Sequence, residues 1–375
     1  MILKKTNNSS LRLNNLDFLR GFFVVLALLE HYSFFLNKWY VEYFRDFSAV
    51  KTIYSSHLDQ LGKILLSDTG TNILGLIFIP WVSQIYLALA SFNISKDSSE
   101  DLNAKLSSVL KKITVLFFVF YLENFIVAND FGQAISFNPI MLWMIILGLI
   151  NIFYAKFGVR GIYFLTTLSL LRWILPIHEL SIGIEEFIQT RVHPSFEYDA
   201  KIEYFFTSGC LGFLLGYLHY HAKVNYNKVA LGISFLSIFI IIAYFTLTSG
   251  YEVDPADIYL HEHDCARTLI GSSFLWAVQA LIISNFVLLE RNGLVINISF
   301  FKWVGVNSLL VFLAHKILFL KVVMPFTTYF YAILGWKIEN NYYEVFAYTG
   351  IVLFLCWMIQ KLQLGSIING NSRKD

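Results

Sequence analysis

Residues 16–35 read LDFLRGFFVVLALLEHYSFF, an apolar run with Asp17 and Arg20 at its mouth and Glu30 and His31 near its far end. About twenty residues rising 1.5 Å each cross the roughly 30 Å hydrocarbon core of a bilayer, so the run has the length of a membrane helix. On such a helix Arg20 and His31 fall within about 20° of one face and roughly 16 Å apart along the axis. Asp17 lies nearly one turn before Arg20, within reach of a local ion pair, and Val24 and Ala27 fill the stripe between the polar ends. Glu30 points about 100° away from His31, toward a neighbouring helix. Ionisable groups within a span are costly and usually face a bundle interior or an aqueous cavity, which suits a site entered from both sides. The alternative is structural: Asp17 caps the helix, Arg20 snorkels to inner-leaflet phosphates and His31 reaches the outer interface.

The same character extends along the chain. Its 375 residues are 57% hydrophobic and 14% charged, with a mean hydropathy of +0.60, far from the balance of a soluble domain. Apolar runs recur near 17–36, 72–92, 107–127, 138–155, 158–175, 202–220, 229–248, 268–290, 303–320 and 344–362. They predict an all-α, polytopic integral membrane bundle of about ten transmembrane helices, a single domain over residues 1–375. Residues 322–336, VVMPFTTYFYAILGW, fit an eleventh span, a re-entrant piece or an interfacial helix, and Pro325 is compatible with each.

The amino-terminal stretch MILKKTNNSSLRLNNLD has the basic character of a secretion signal, but no A-x-A-like site follows the apolar run, so it reads as the lead-in to an uncleaved first helix. Lys4, Lys5 and Arg12 precede that helix, and Lys96, Lys105, Lys111 and Lys112 lie between the second and third runs. Both segments are cytoplasmic by the positive-inside rule, which predicts a cytoplasmic amino terminus. Glu42, Asp46, Asp59 and Asp68 offset the basic residues of the 37–70 loop.

Cys210, Cys265 and Cys356 are far apart and form no CxxC, so neither a disulfide framework nor a cysteine metal knuckle is implied. No basic tract or aromatic module for nucleic acid, internal repeat, or glycine-rich phosphate loop is evident, and the net charge of +2 decides nothing. His261 and His263 share one side of an extended segment, a spacing compatible with a metal, yet Asp264 beside them is equally the cap of the next span, and no metal is expected. Gln84 and Pro80 sit in the second run, where a buried amide and a freed carbonyl require neighbouring helices rather than lipid. In the ninth run Asn307 and Ser308 enter an apolar stretch, and Ser308 and His315, seven residues apart, share a face within about 20°. GFLLG, Gly212 to Gly216, is a small-residue face that joins helices within a chain or between two copies, so a homodimer is compatible with it.

These stretches together resemble the membrane acyltransferases, a group comprising the family 3 O-acyltransferases and the heparan-α-glucosaminide N-acetyltransferase-like and YeiB-like proteins. RLNNLDFLRGFFVVLALLEH is similar to their opening LDxLRG helix, with Arg20 and then His31 in the family's order. IFIPWVSQIYLALASFNIS is similar to their second helix, with Ser91 where an FLSG or FLAG turn has glycine. FTSGCLGFLLGYLHY resembles their mid-chain glycine-rich helix, and WVGVNSLLVFLAH resembles the late LGxNSLxxYxxH helix. The likeness covers most of the chain. It lacks the Arg-x-x-x-Arg element of the family 3 branch, where Lys111 and Lys112 stand in for phosphate contacts, and this favours the N-acetyltransferase-like branch.

What the resemblance implies is transfer of an acyl group, most often acetyl, from a cytoplasmic acyl-coenzyme A donor to a hydroxyl or amine of a sugar, lipid or envelope-polymer acceptor. His31 is then the candidate base, its second ring nitrogen held by Glu30 or Asp68. Arg20, oriented by Asp17, meets donor phosphates. Asn307 or Ser308 donates to the carbonyl oxygen as charge develops, with His315 on the same helix face. A transporter or lipid flippase using the same buried polar groups is the competing reading.

Overall fold

A computed structural model of the chain describes residues 13–43, 82–96, a set of helical positions between 103 and 126, and residues 139–171, 202–248, 269–334 and 341–362. These form an all-α bundle: α1 (Asn14–Tyr43), α2 (Val82–Ile94), α3 (Pro139–Leu170), α4 (Ile202–Tyr220), α5 (Tyr226–Thr248), α6 (Leu269–Arg291), α7 (Ser299–Val306), α8 (Ser308–Ile317), a π-helical turn (Leu318–Val323), α9 (Met324–Leu334) and α10 (Asn341–Lys361).

The sequence-based expectation of about ten membrane spans is corrected by the structure. Among the described residues four helices are long and apolar enough to cross a membrane, Ile145–Leu170, Tyr226–Tyr244, Ile270–Arg291 and Ser308–Thr327, and these mark a membrane-associated protein. Gln84–Ile94 and Phe346–Lys361 are apolar but shorter. Three features of the backbone redraw the runs. Two runs, 138–155 and 158–175, belong to one helical stretch that breaks at Gly158, whose φ of 63° and ψ of −158° only glycine adopts without strain. The 303–320 run is interrupted at Asn307 (φ −103°, ψ 19°), which ends α7 and starts α8. Residues 322–336 add no separate span, because through Leu334 they prolong the α8 helix by way of the π turn. The wider π ladder ends at Val323, so Pro325, which has no N–H to donate, enters the first turn of the resumed α-helix. Much of 72–92 and 107–127 lies outside the described residues.

α1 is the hub of the bundle, touching α2, α6, α7, α8 and α10. One side of it, Leu16, Leu19 and Phe23, joins a core with Leu87 and Phe92 of α2, Phe213 of α4 and Ile283 of α6. The other side, Val24, Leu28 and Tyr32, joins a second core with Val311 of α8, Phe319 of the π turn and Val352 of α10. A helix buried on both sides explains why this run reads as apolar nearly all round.

Close helix contacts rest on small residues. Gly212 and Gly216 of α4 pack so tightly on α2 that an added Cβ would overlap the carbonyl oxygen of Ala88 at the first and crowd that of Phe92 at the second. The GFLLG face is therefore used within the chain, between α4 and α2.

The start of α1 is tied down by residues that the sequence did not single out. The Glu290 carboxylate accepts hydrogen bonds from the backbone N–H groups of Asn14 (2.9 Å) and Asn15 (2.8 Å), two of the donors that a helix amino terminus leaves unpaired. Asn15, fully buried, donates to the carbonyls of Phe286 (3.2 Å) and Leu294 (2.9 Å) and accepts from the N–H of Ile296 (2.7 Å). Asn15→Ala strands those backbone groups in the interior and is expected to lower stability by about 1–3 kcal/mol, measured by denaturant unfolding in detergent.

Candidate functional site

Asp17 and Arg20 form an ion pair of 2.9 Å within α1, both buried, with side chains only 7% and 9% exposed. Their position is fixed by the α1–α7 crossing, where Gly21 and Gly305 face each other and an added Cβ on either would overlap the other helix's backbone oxygen, Phe301 or Asp17 respectively. The backbones approach this closely only because both positions lack a side chain.

Beside the pair stand Tyr86 of α2 and Ser308 of α8. The Tyr86 hydroxyl lies within hydrogen-bonding reach of the Ser308 side chain and within electrostatic reach of the Arg20 guanidinium. Its ring packs edge-on against Phe312 of α8, centroids 5.2 Å apart. Three segments remote in sequence, LDFLRG, SQIY and VNSL, thus converge on one point. Tyr86 was missed by the sequence reading because a tyrosine in an apolar helix gives no signal of its own; its two-residue offset from the conspicuous Gln84 was the available hint. Gln84 points elsewhere, accepting a 3.0 Å hydrogen bond from Gln279 of α6.

Asn307 and Ser308 occupy the α7–α8 break. The Asn307 side-chain amide donates to the Trp303 carbonyl (2.8 Å), which fixes it on the end of α7. Ser308, 7% exposed, opens α8, where the helix terminus favours developing negative charge. Two turns on, His315 is 2% exposed, and its Nδ1 lies 2.6 Å from the Phe312 carbonyl oxygen. A carbonyl only accepts, so Nδ1 carries the proton and the neutral ring has its lone pair at Nε2. The His315 ring lies 6.4 Å from that of Tyr32 on α1, which itself stacks on Phe319 at 4.3 Å. α1 and α8 therefore run side by side, with a first polar station at Arg20, Tyr86 and Ser308 and a second at His315, about 10 Å further along α8.

Other predicted site residues fall elsewhere. Glu30 and His31 are within α1, but their side chains, with Asp68, Lys112, His261, His263 and Asp264, lie outside the described residues. Lys111 is helical and exposed. Among the described residues no group of three His, Cys, Asp or Glu side chains is placed to hold a metal.

Arg20→Ala removes the ion-pair partner of the buried Asp17 carboxylate and is expected to destabilise the fold by about 3–5 kcal/mol. The Asp17→Leu/Arg20→Met double variant, which removes both charges, recovers most of that loss in the same unfolding measurement. Comparison of the chain with protein-family models, with curated proteins and with solved structures finds no match in any of the three.

Proposed function

We propose that this chain is a membrane acyltransferase that moves an acetyl or other acyl group from acyl-coenzyme A to a hydroxyl or amine of a sugar, lipid or envelope-polymer acceptor. Its place is the bacterial inner membrane with the amino terminus cytoplasmic. The observation that carries the reading is the buried α1–α8 seam, with an Asp17-oriented guanidinium beside the Tyr86–Ser308 hydroxyl pair and, further along, a histidine of defined tautomer.

The donor is a substrate whose phosphates suit the seam's first station. Arg20 presents five N–H donors in a planar fork and Asp17 engages Nη1, which holds the guanidinium in a fixed orientation. Acyl transfer requires the acceptor to lose a proton as its lone pair bonds to the thioester carbonyl carbon. The C–S bond then breaks, and the thiolate leaves and is protonated. We assign the base to Nε2 of His315, which takes the acceptor's proton and passes it to the leaving thiolate. Ser308 and Tyr86 add hydroxyl donors for the phosphates beside the guanidinium, and the donor's pantetheine arm runs from there toward His315. The family resemblance would give the base to His31 instead, and parallel single substitutions separate the two.

The test is transfer of radiolabelled acetyl from acetyl-coenzyme A to membrane extracts by purified protein in liposomes. Labelled product formed by the wild type and lost on substitution at Arg20 and His315 supports the reading. A wild type that transfers neither acetyl nor longer acyl groups to any extract overturns it.

A further inference from the structure

One end of the bundle collects the turn between α4 and α5, the end of α6 and the loop into α7. Arg291 Nη1 lies 3.4 Å from His219 Nδ1, the guanidinium sits 5.3 Å from the centre of the Tyr226 ring, and Asn227 meets Asn292 at 3.5 Å. The carboxyl end of α2 joins them, its Ser95 carbonyl 2.7 Å from His221 Nε2. The break in α3 is close by, since Tyr154 contacts Tyr217. So is the end of α10, where Gln360 accepts a 2.6 Å hydrogen bond from Trp303.

Charge at this end is one-sided. Lys156, Arg160, Lys223, Lys228 and Arg291 are exposed and Lys302 half-buried. Among the described side chains the acids here are Glu290, whose carboxylate is already committed to the α1 amides, and Asp17, buried and paired with Arg20. Glu203 and Glu344 belong by chain position to the first turns of α4 and α10, at the opposite ends of those helices. His219 adds nothing to the charge at neutral pH: burial, and then the Arg291 guanidinium, bring its imidazole down to about 4.

Below these cations runs an uncovered apolar stripe. Lys228, Leu231, Phe235, Phe239 and Ile242 of α5 fall within about 80° of one another around the helix, and the four apolar members are 51%, 74%, 69% and 59% exposed. From Lys228 to Ile242 the helix rises about 21 Å, longer than one leaflet's half of the hydrocarbon core.

We propose that Lys223 and Lys228 hold the phosphate of an anionic phospholipid whose acyl chain lies along the α5 stripe, with Arg291 adding positive charge from the end of α6, so that this end of the bundle sits in an anionic leaflet. Cations at the head of a lipid-facing apolar stripe match a phospholipid at both its charged and its apolar part. The site places the start of α1 on the same side of the membrane. It stands apart from acyl transfer, since none of its residues belongs to the α1–α8 seam.

The test titrates the full chain in neutral detergent with phosphatidylglycerol and with phosphatidylcholine, reading the first bound lipid by native mass spectrometry. Phosphatidylglycerol is expected to bind at least about tenfold more tightly. Each lost cation is expected to weaken it about fivefold, and Lys223→Gln/Lys228→Gln about 25-fold, while Lys321→Gln in the π turn changes little. Equal binding of the two lipids by the wild type overturns the proposal without recourse to any variant. So does Lys321→Gln weakening binding as much as the double variant, or full displacement of the lipid by millimolar inorganic phosphate, which would mark a site for a free anion.

Discussion

His315→Asn lowers the rate of acyl transfer by about 10²–10⁴-fold, the usual contribution of a positioned general base, with the fold intact. Asparagine is the informative choice because its amide nitrogen takes the place of Nδ1 and keeps a donor toward the Phe312 carbonyl, now met at 2.6 Å. What it removes is the Nε2 lone pair. The loss should fall on kcat, with KM for the donor little changed, because the donor-binding role belongs to Arg20 at the other station. Arg20→Lys gives the converse pattern, raising KM for acyl-coenzyme A as the planar fork becomes a point charge. Steady-state kinetics in liposomes separate the two. If His315→Asn retains activity within about tenfold while His31→Ala abolishes it, the base is His31.

Gly305→Val is expected to be among the most damaging single changes in the chain, costing about 3 kcal/mol of stability and at least about 100-fold in transfer. A Cβ at position 305 meets the carbonyl oxygen of Asp17 and crowds the N–H of Gly21 at 2.9 Å. Those are backbone atoms, so no side-chain rotation relieves the overlap and α7 must move away from α1. The shift displaces Asp17 and Arg20 from Tyr86 and Ser308, and misplacement by about 1 Å is enough to account for the activity loss. Gly232→Ala is the control: an added Cβ there meets nothing within 4 Å, and alanine in a helix interior is favoured over glycine by about 0.5–1 kcal/mol. Thermal unfolding of the two variants in detergent should move in opposite directions.

Much of the architecture was readable because it is local. Helical periodicity and apolar length follow from neighbouring residues, so the all-α class, the long α5 and α6 helices and the shared face of Ser308 and His315 could be read before any tertiary contact was known. The Asp17–Arg20 pair was legible for the same reason, being a contact within one helical turn. The span boundaries were not, because run length does not record where one helix ends and the next begins. Gly158 leaves helical geometry inside an apolar stretch, Asn307 interrupts another, and Pro325, which looks like a breaker, is absorbed by a π turn.

By itself the sequence determined the helices, their apolar character and the charges placed on α1. Only the tertiary structure decided which of those charges meet which partners. Tyr86 reaches Ser308, Glu290 caps a helix that begins 276 residues earlier, and the α4 glycines close on α2 rather than on a second copy. The physical reason is that hydropathy and periodicity fix the face a helix buries, whereas its neighbour is set by long-range packing, through the few small residues that let two backbones approach and the buried polar groups that must find partners there.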